Sequence, residues 1–146
     1  MIGRLARWLR ALGYDTIYKP NVQSNQIVNQ AMKENRTLLT RSQRLIEENS
    51  GMNSYLVKRQ NPRDQLKMIM FDFKLGTDWI FSRCVFCNSL VKSIEKKDVL
   101  GKVPEHVFQN SQEYFQCLAC EKLYWEGTHR KRFTEFLNKQ ILTGFV

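Results

Sequence analysis

The sequence has 146 residues, 42% of them hydrophobic, with only 7 Gly and 3 Pro, which excludes a disordered chain and suits one ordinary domain or two small ones. Its formal net charge of +9 favours an acidic partner, most commonly nucleic acid, over the alternative of a basic protein whose charge serves only solubility. No apolar run approaches the roughly 18 residues of a membrane-spanning helix, so we predict no membrane partner.

Helical spacing marks the first predicted element. The apolar residues Leu5, Trp8, Leu9 and Leu12 fall on one side of a helix, and Gly13 stands where a left-handed cap would end it. The arginines between them lie largely off this side, and they exclude a secretory signal. We therefore predict an ordinary first helix, although an Arg-rich start without acidic residues is also typical of an organelle-targeting segment.

Short apolar runs alternate with helical patterns from residue 16 to residue 73. We predict strands at 16–18, 37–39 and 55–57, and helices that begin near residues 24, 41 and 61. Ser24 or Asn25 is suited to cap the second helix, and Asn61 followed by Pro62 is suited to begin the fourth. This alternation predicts an α/β fold with a small parallel sheet flanked by helices.

The pattern changes near residues 76–79. Beyond this point short segments are punctuated by cysteine pairs, and a polar helix is predicted around residues 130–142. We therefore predict an α/β domain at 1–78 and a cysteine-rich ribbon with a C-terminal helix at 79–146. When the chain is split after Asp78, the first part carries +6 and the second +3.

Two C-x2-C pairs, Cys84 with Cys87 and Cys117 with Cys120, are separated by 29 residues. Each pair offers two thiolates from one tight turn, and two such turns complete a tetrahedral zinc site. Four thiolates close the coordination shell, so the predicted zinc ion is structural and not catalytic. With no secretory signal, we expect an intracellular reducing compartment, the cytoplasm or an organelle matrix, which favours metal binding over disulfides.

Basic and aromatic residues share the segment between the two cysteine pairs. Phe108, Tyr114 and Phe115 lie near several lysines, and this mixture suits RNA because phosphates meet lysine and unpaired bases stack on rings. The alternative is that the aromatic rings pack the small core of the ribbon while the lysines are solvated. The sequence leaves both interpretations open.

Segments in order along nearly the whole chain resemble the mutator-seven C-terminal RNase domain family. The landmarks are residues 1–16, Leu38-Leu39-Thr40-Arg41, Arg83-Cys84, Cys87-Asn88, Val103-Pro104 and Tyr124-Trp125-Glu126-Gly127-Thr128-His129. The resemblance implies a PIN-like nuclease fold at 1–78 followed by a zinc ribbon. It also implies an acidic cluster that holds Mg²⁺ or Mn²⁺ for phosphodiester hydrolysis.

The acidic positions that the resemblance implies are not acidic in this sequence. The site at the start of the second helix corresponds to Ser24 and Asn25, and the acid after Thr-Arg corresponds to Ser42. Neutral side chains cannot replace carboxylates in binding hard divalent cations strongly. The remaining acids are interpreted as turn and helix-surface residues: Asp15, Glu34, Glu47 and Glu48. We therefore expect little or no metal-dependent nuclease activity.

The family's first strand, which carries a further Asp, would precede Met1. Without it, the neighbouring strands of a PIN-like sheet would be left with unpaired backbone groups. We expect another segment, either residues upstream or a strand from a protein partner, to complete the sheet.

The sequence thus favours an RNA-associated zinc-ribbon protein with a degenerate PIN-like ribonuclease fold. We expect it to be non-catalytic and to serve as a subunit of a ribonucleoprotein, for example a ribosome. An active metal-dependent ribonuclease and a protein-interaction module are the alternatives. RNA binding is predicted for the basic residues Arg4, Arg7, Arg10, Arg41, Arg44, Lys92, Lys96, Lys97, Lys102, Arg130, Lys131 and Arg132.

Overall fold

The computed structural model describes residues 2–142, with side chains described for residues 2–139. These residues divide into two compact units, one formed by 2–9 and 16–76 and the other by 10–15 and 77–142. The assignment of separate domains to 1–78 and 79–146 stays a prediction, since compactness does not show independent folding. No helix among residues 2–142 is long and apolar enough to cross a membrane.

The first unit contains four helices, one of which it shares with the second unit, and two strands. Their bounds are α1 Ile2–Ala11, α2 Ser24–Lys33, β1 Leu38–Thr40, α3 Gln43–Glu48, β2 Ser54–Leu56 and α4 Pro62–Asp72. The buried apolar residues of this unit come from α1, α2, α4 and β1, and from the residue directly after β2: Leu5, Ala6, Leu9, Val28, Ala31, Leu38, Val57, Leu66, Ile69 and Met70. On the apolar side predicted for α1, Leu5 and Leu9 are buried and Trp8 is half-buried.

Strands β1 and β2 form a parallel pair with Leu38 opposite Ser54 and Thr40 opposite Leu56. The Val57 N–H donates to the Thr40 carbonyl at 2.7 Å, which extends the ladder by one residue. Both strands lie within one residue of their predicted positions, and their parallel order confirms the predicted sheet type. The carboxyl ends of both strands consequently meet at one edge of this unit.

Side-chain caps set the starts of two helices. Asn61 accepts the Arg63 N–H at 2.9 Å, and Pro62 occupies the first helical position of α4, as predicted. Ser42 accepts the Leu45 N–H at 3.2 Å and begins α3. The third helix thus starts after residue 42 because the Ser42 side chain replaces a missing backbone acceptor.

The predicted strand at 16–18 is wrong. These residues form no strand, and Ile17 and Tyr18 are 37% and 41% exposed. The Tyr18 ring instead lies beside Gly3 in α1, where its Cε1 is 3.0 Å from the position a Cβ would take. A short apolar run becomes a strand only beside a partner strand, and within residues 2–142 this run pairs with none.

The second unit is built on a three-stranded antiparallel sheet in the order β3-β4-β5. The bounds of its elements are β3 Val91–Ile94, a 3-10 turn Lys96–Val99, α5 Glu105–Asn110, β4 Tyr114–Cys117, β5 Leu123–Trp125, α6 Thr128–Phe136 and a π-helical turn Leu137–Leu142. This sheet and the parallel pair of the first unit confirm the α/β class, and α6 confirms the predicted C-terminal helix.

A small apolar core lies against the antiparallel sheet. Val99, Val107 and Tyr114 are buried there, with Phe108 and Trp125 packed against them. The Tyr114 hydroxyl donates to the carbonyl oxygens of Val107 at 3.0 Å and Ser111 at 3.2 Å. Tyr114 therefore packs the ribbon core, in agreement with the interpretation that the aromatic rings fill this core. Its ring is not available to stack on a nucleobase.

Candidate metal centre

The two cysteine pairs adopt the same local geometry. In each, the N–H of the first cysteine donates to the carbonyl five residues later, Cys84 to Ser89 at 2.8 Å and Cys117 to Lys122 at 2.9 Å. In each, the residue after the second cysteine has a left-handed backbone, with φ 75° at Asn88 and 61° at Glu121. This shared turn aims both sulfur atoms of a pair to the same side.

All four Sγ atoms lie within 4.8 Å of one another. The distance from Cys84 to Cys120 is 3.7 Å, and that from Cys87 to Cys117 is 3.3 Å. Four sulfurs at about 2.3 Å from a central zinc ion lie about 3.8 Å apart. The cysteines are free thiols, so their number, chemistry and spacing fit a metal such as zinc.

Two of the four thiols, Cys87 and Cys120, have pKa values shifted in opposite directions. Desolvation raises the pKa of Cys87, but hydrogen bonds with Ser89, Cys117 and Cys120 outweigh it and lower that pKa to about 6. A backbone hydrogen bond with Lys122 lowers the pKa of Cys120, whereas desolvation and the neighbouring thiols together raise it to about 12. Four thiolates therefore do not coexist easily without a cation among them.

Hydrogen bonds to sulfur come mainly from the turns themselves. The Cys87 N–H donates to Cys84 Sγ at 3.4 Å, and the N–H groups of Ala119 and Cys120 donate to Cys117 Sγ, each at 3.4 Å. In addition, the Tyr124 hydroxyl lies 2.9 Å from Cys84 Sγ. Burial raises the pKa of Tyr124, and the hydrogen bond with the Cys84 thiol raises it further. The hydroxyl therefore stays protonated at neutral pH.

The end of α1 supports the first cysteine turn. The Arg10 guanidinium is buried and donates from Nη1 to the carbonyls of Val85 at 3.2 Å and Phe86 at 3.0 Å. Arg83 Nε donates to the Gly13 carbonyl at 3.2 Å. Arg10 thus stabilises the loop between Cys84 and Cys87, and its predicted role in RNA binding has no support from its position.

Close backbone approach explains the glycine that follows α1. Gly13 has a φ of 95°, and a Cβ there would lie 2.2 Å from the Trp79 carbonyl oxygen. Next to it, the Phe81 N–H donates to the Ala11 carbonyl at 2.6 Å. Only glycine leaves room for the chain at Trp79 to pass this closely.

The acids that remain near the predicted nuclease positions all have partners. Asp15 accepts the Asn88 side-chain N–H at 2.6 Å, beside the first cysteine turn. The three glutamates are held by neighbours on the helix surface or just beyond it, Glu34 by Arg36 and Gln30, Glu47 by Gln43, and Glu48 by Arg44. These contacts agree with the turn and helix-surface roles expected from the sequence.

The predicted RNA-binding residues of the first unit are on its surface. Arg4, Arg7, Arg41 and Arg44 are all exposed. Arg44 forms an ion pair with Glu48 one helical turn later, with the Nε to Oε1 distance 2.6 Å. Arg41 directly follows β1, and its guanidinium takes part in no ion pair among the residues described.

Of the predicted RNA-binding residues in the second unit, some are only exposed to solvent and others contact a neighbouring side chain. Lys92, Lys102, Lys131 and Arg132 are exposed, and Lys97 is exposed with its Nζ 2.8 Å from Glu95. Lys96 lies over the Phe108 ring, 4.9 Å from its centroid.

Arg130 is held between two aromatic rings. Its guanidinium carbon lies 4.2 Å from the Phe81 centroid and 5.4 Å from the Phe115 centroid. Burial lowers the pKa of Arg130, although carboxylates nearby oppose that shift. Arg130 therefore contributes to the packing of α6 on the ribbon.

Sequence reasoning missed two contributors to the centre, Arg10 and Tyr124. The partners of both lie far away along the chain, 75 residues for Arg10 and Val85 and 40 residues for Tyr124 and Cys84. For Tyr124, a signal was present: it opens the segment of residues 124–129 that carries part of the family resemblance.

Comparison with family models gives a match to the Mut7-C RNAse domain over residues 1–137. Comparisons with curated proteins and with solved structures give no match. The family match spans both units and includes all four cysteines.

Proposed function

This chain belongs to the Mut7-C RNase domain family, and on that premise we propose that it binds RNA, holds one structural zinc ion and has little or no metal-dependent nuclease activity. Cys84, Cys87, Cys117 and Cys120 would hold the zinc ion, which when bound joins the two cysteine turns. RNA is the acidic polymer on which an RNase domain acts, and the net charge of +9 suits it.

The observation that carries this proposal is the unequal distribution of charge. The first unit has twelve basic and five acidic residues, an excess of +7, whereas the second has eleven and nine, an excess of +2. A zinc ion with four thiolates contributes about −2, which would leave the second unit near neutrality. We therefore assign most of the contacts with RNA phosphates to the first unit.

Within the first unit, the carboxyl edge of the parallel strands is the best candidate surface. Arg41 directly follows β1. Lys58 and Arg59 come after Val57, the first residue beyond β2, and all three basic side chains are exposed. The pairing of Thr40 with Leu56 brings these segments side by side. Asp64 in the first turn of α4 is the acidic residue nearest to these three in sequence.

The proposed lack of nuclease activity is supported by the neutral residues Ser24, Asn25 and Ser42 at positions that the family resemblance implies to be acidic. Ser42 is committed to capping α3, since its hydroxyl accepts the Leu45 N–H at 3.2 Å. A hydroxyl in this role supplies no negative charge to a divalent cation. A PIN-like protein that has lost such carboxylates can keep its RNA-binding surface, for example as a subunit of a ribonucleoprotein particle.

Incubation of the purified chain with single-stranded RNA and Mn²⁺ is expected to give no cleavage, together with RNA binding that weakens steeply as salt rises. Ser42→Asp is the informative variant because aspartate caps a helix as well as serine does, so the fold is retained while a carboxylate is added. Cleavage by the unaltered chain would contradict the proposal. Cleavage by the variant alone would support it and assign the deficiency to residue 42.

Charge variants test where the RNA lies. We expect the triple change Arg41→Gln, Lys58→Gln, Arg59→Gln to reduce the slope of log affinity against log salt by about 2, since each phosphate contact to a single strand contributes about 0.7. The matched control, Lys92→Gln, Lys97→Gln, Lys102→Gln, removes the same charge from the second unit and should change the slope by less than half as much. Equal slopes for the two triples, measured by fluorescence anisotropy, would argue against the assignment to the first unit.

A further inference from the structure

The Tyr124 hydroxyl contacts a cysteine of the candidate metal centre from outside both cysteine turns. Tyr124 lies in the middle of β5, paired with Phe115 of β4, and its oxygen is 2.9 Å from Cys84 Sγ. Cys84 is fully buried, and Tyr124 is half-buried. The sulfur of Cys84 is therefore contacted by this hydroxyl within the protein and not by solvent.

The sulfur atoms differ in what they receive. In each cysteine pair, backbone N–H groups of the turn donate hydrogen bonds to one sulfur, that of Cys84 or that of Cys117. Such donors follow from the turn conformation and do not depend on side-chain identity. The side chain of Ser89, which contacts Cys87, belongs to the first turn, whereas Tyr124 supplies its O–H from β5, outside both turns.

The direction of this hydrogen bond follows from the protonation state of the sulfur. A metal-bound cysteine is a thiolate, which has no proton to give, so the tyrosine must be the donor. Hydrogen bonds to an ionised acceptor are roughly twice as strong as those between neutral groups. The contact would therefore be strongest when the metal is bound.

We propose that Tyr124 is a positioning residue for the metal: its hydroxyl donates to the Cys84 thiolate, orients that ligand and lowers the electron density on the sulfur. This inference rests on the proposed zinc site. It gives a role to residue 124 of the segment Tyr124-Trp125-Glu126-Gly127-Thr128-His129, whose tryptophan packs against the ribbon core. Partners of this kind typically contribute 10- to 100-fold in metal affinity.

The test compares Tyr124→Phe with Tyr114→Phe, using Zn²⁺ competition with a chelator and the absorption of the Co²⁺-loaded protein. Each variant loses one hydroxyl from the second unit, and the Tyr114 hydroxyl donates to the carbonyls of Val107 and Ser111, away from the four sulfur atoms. We expect Tyr124→Phe to weaken Zn²⁺ binding roughly tenfold. We also expect its sulfur-to-cobalt charge-transfer band to move to longer wavelength, because the thiolate becomes more electron-rich.

Tyr114→Phe should lower the free energy of unfolding while leaving the charge-transfer band of the Co²⁺-loaded protein at the same wavelength. If the unaltered chain loads one Co²⁺ and Tyr124→Phe matches it in both affinity and spectrum, the role of Tyr124 is overturned while the zinc proposal stands. If the unaltered chain loads no metal, the zinc proposal fails, and this inference fails with it. A shifted band in both variants would also overturn the inference, since the effect would then be a general response of the ribbon.

Discussion

Replacement of Cys117 by serine is expected to abolish tight zinc binding and to unfold the second unit. Cys117 is 2% exposed, ends β4 and receives two backbone N–H groups at its sulfur. A structural zinc site of this type supplies about 10–16 kcal/mol of apparent binding free energy. The buried cluster of Val99, Val107 and Tyr114 offers about 5–9 kcal/mol by comparison, at about 1.5–3 kcal/mol for each side chain.

The measurement is zinc content by elemental analysis together with thermal unfolding followed by circular dichroism. Gln116→Ser is the matched control because it introduces serine at the neighbouring position of the same strand. It removes only an exposed hydrogen bond from Gln116 to the Glu121 carbonyl, 3.1 Å long. One zinc per chain in the control and none in Cys117→Ser is the expected result. Full zinc content and an unchanged transition in Cys117→Ser would refute the proposed ligand set.

Replacement of Gly13 by alanine is expected to be more destabilising than the same change at Gly3, Gly51, Gly101 or Gly127. Its backbone has a φ of 95°, and a Cβ would meet the Trp79 carbonyl oxygen at 2.2 Å and the Trp79 carbonyl carbon at 2.7 Å. The backbone strain costs about 1–3 kcal/mol. The forced displacement of neighbouring atoms adds about 1–3 kcal/mol.

Two other glycines separate these contributions. Gly101 has a φ of 75° with nothing within 4 Å of its Cβ position, and Gly51 has open space without a positive φ. Urea unfolding should therefore give losses in the order Gly13→Ala, Gly101→Ala, Gly51→Ala, with the last near zero or slightly stabilising. A Gly13→Ala protein no less stable than Gly101→Ala would show that the chain at Trp79 does not approach Gly13 as described.

Local sequence signals were sufficient at α4 and at the cysteine pairs, but the predicted cap of α2 by Ser24 or Asn25 is wrong, since both residues lie inside the helix and no side chain caps its start. Asn61 and Pro62 predicted the start of α4 because a side-chain cap and a fixed φ act within one turn. The cysteine pairs predicted the metal centre because each C-x2-C turn brings its own two sulfurs together. The parallel pairing of β1 and β2 was predicted from the helix between them.

Other features depend on residues far away in the chain, and the sequence pattern could not supply them. The run at 16–18 looks like a strand by composition, but strand formation requires a neighbour that composition does not reveal. Arg10 has the same helical context as Arg4 and Arg7, yet the carbonyls of Val85 and Phe86 draw its guanidinium inside.

Because α1 is divided between the two units, the ribbon is not encoded by one continuous stretch of sequence. Residues 10–15 belong with the ribbon, although about sixty residues of sequence separate them from residue 77, where the ribbon resumes. A gene segment that carried only the cysteine-rich part would omit Arg10, which holds the first cysteine turn, and Gly13, against which Trp79 lies. In this chain the ribbon is therefore encoded in two separate stretches of sequence, and residues 10–15 are part of it.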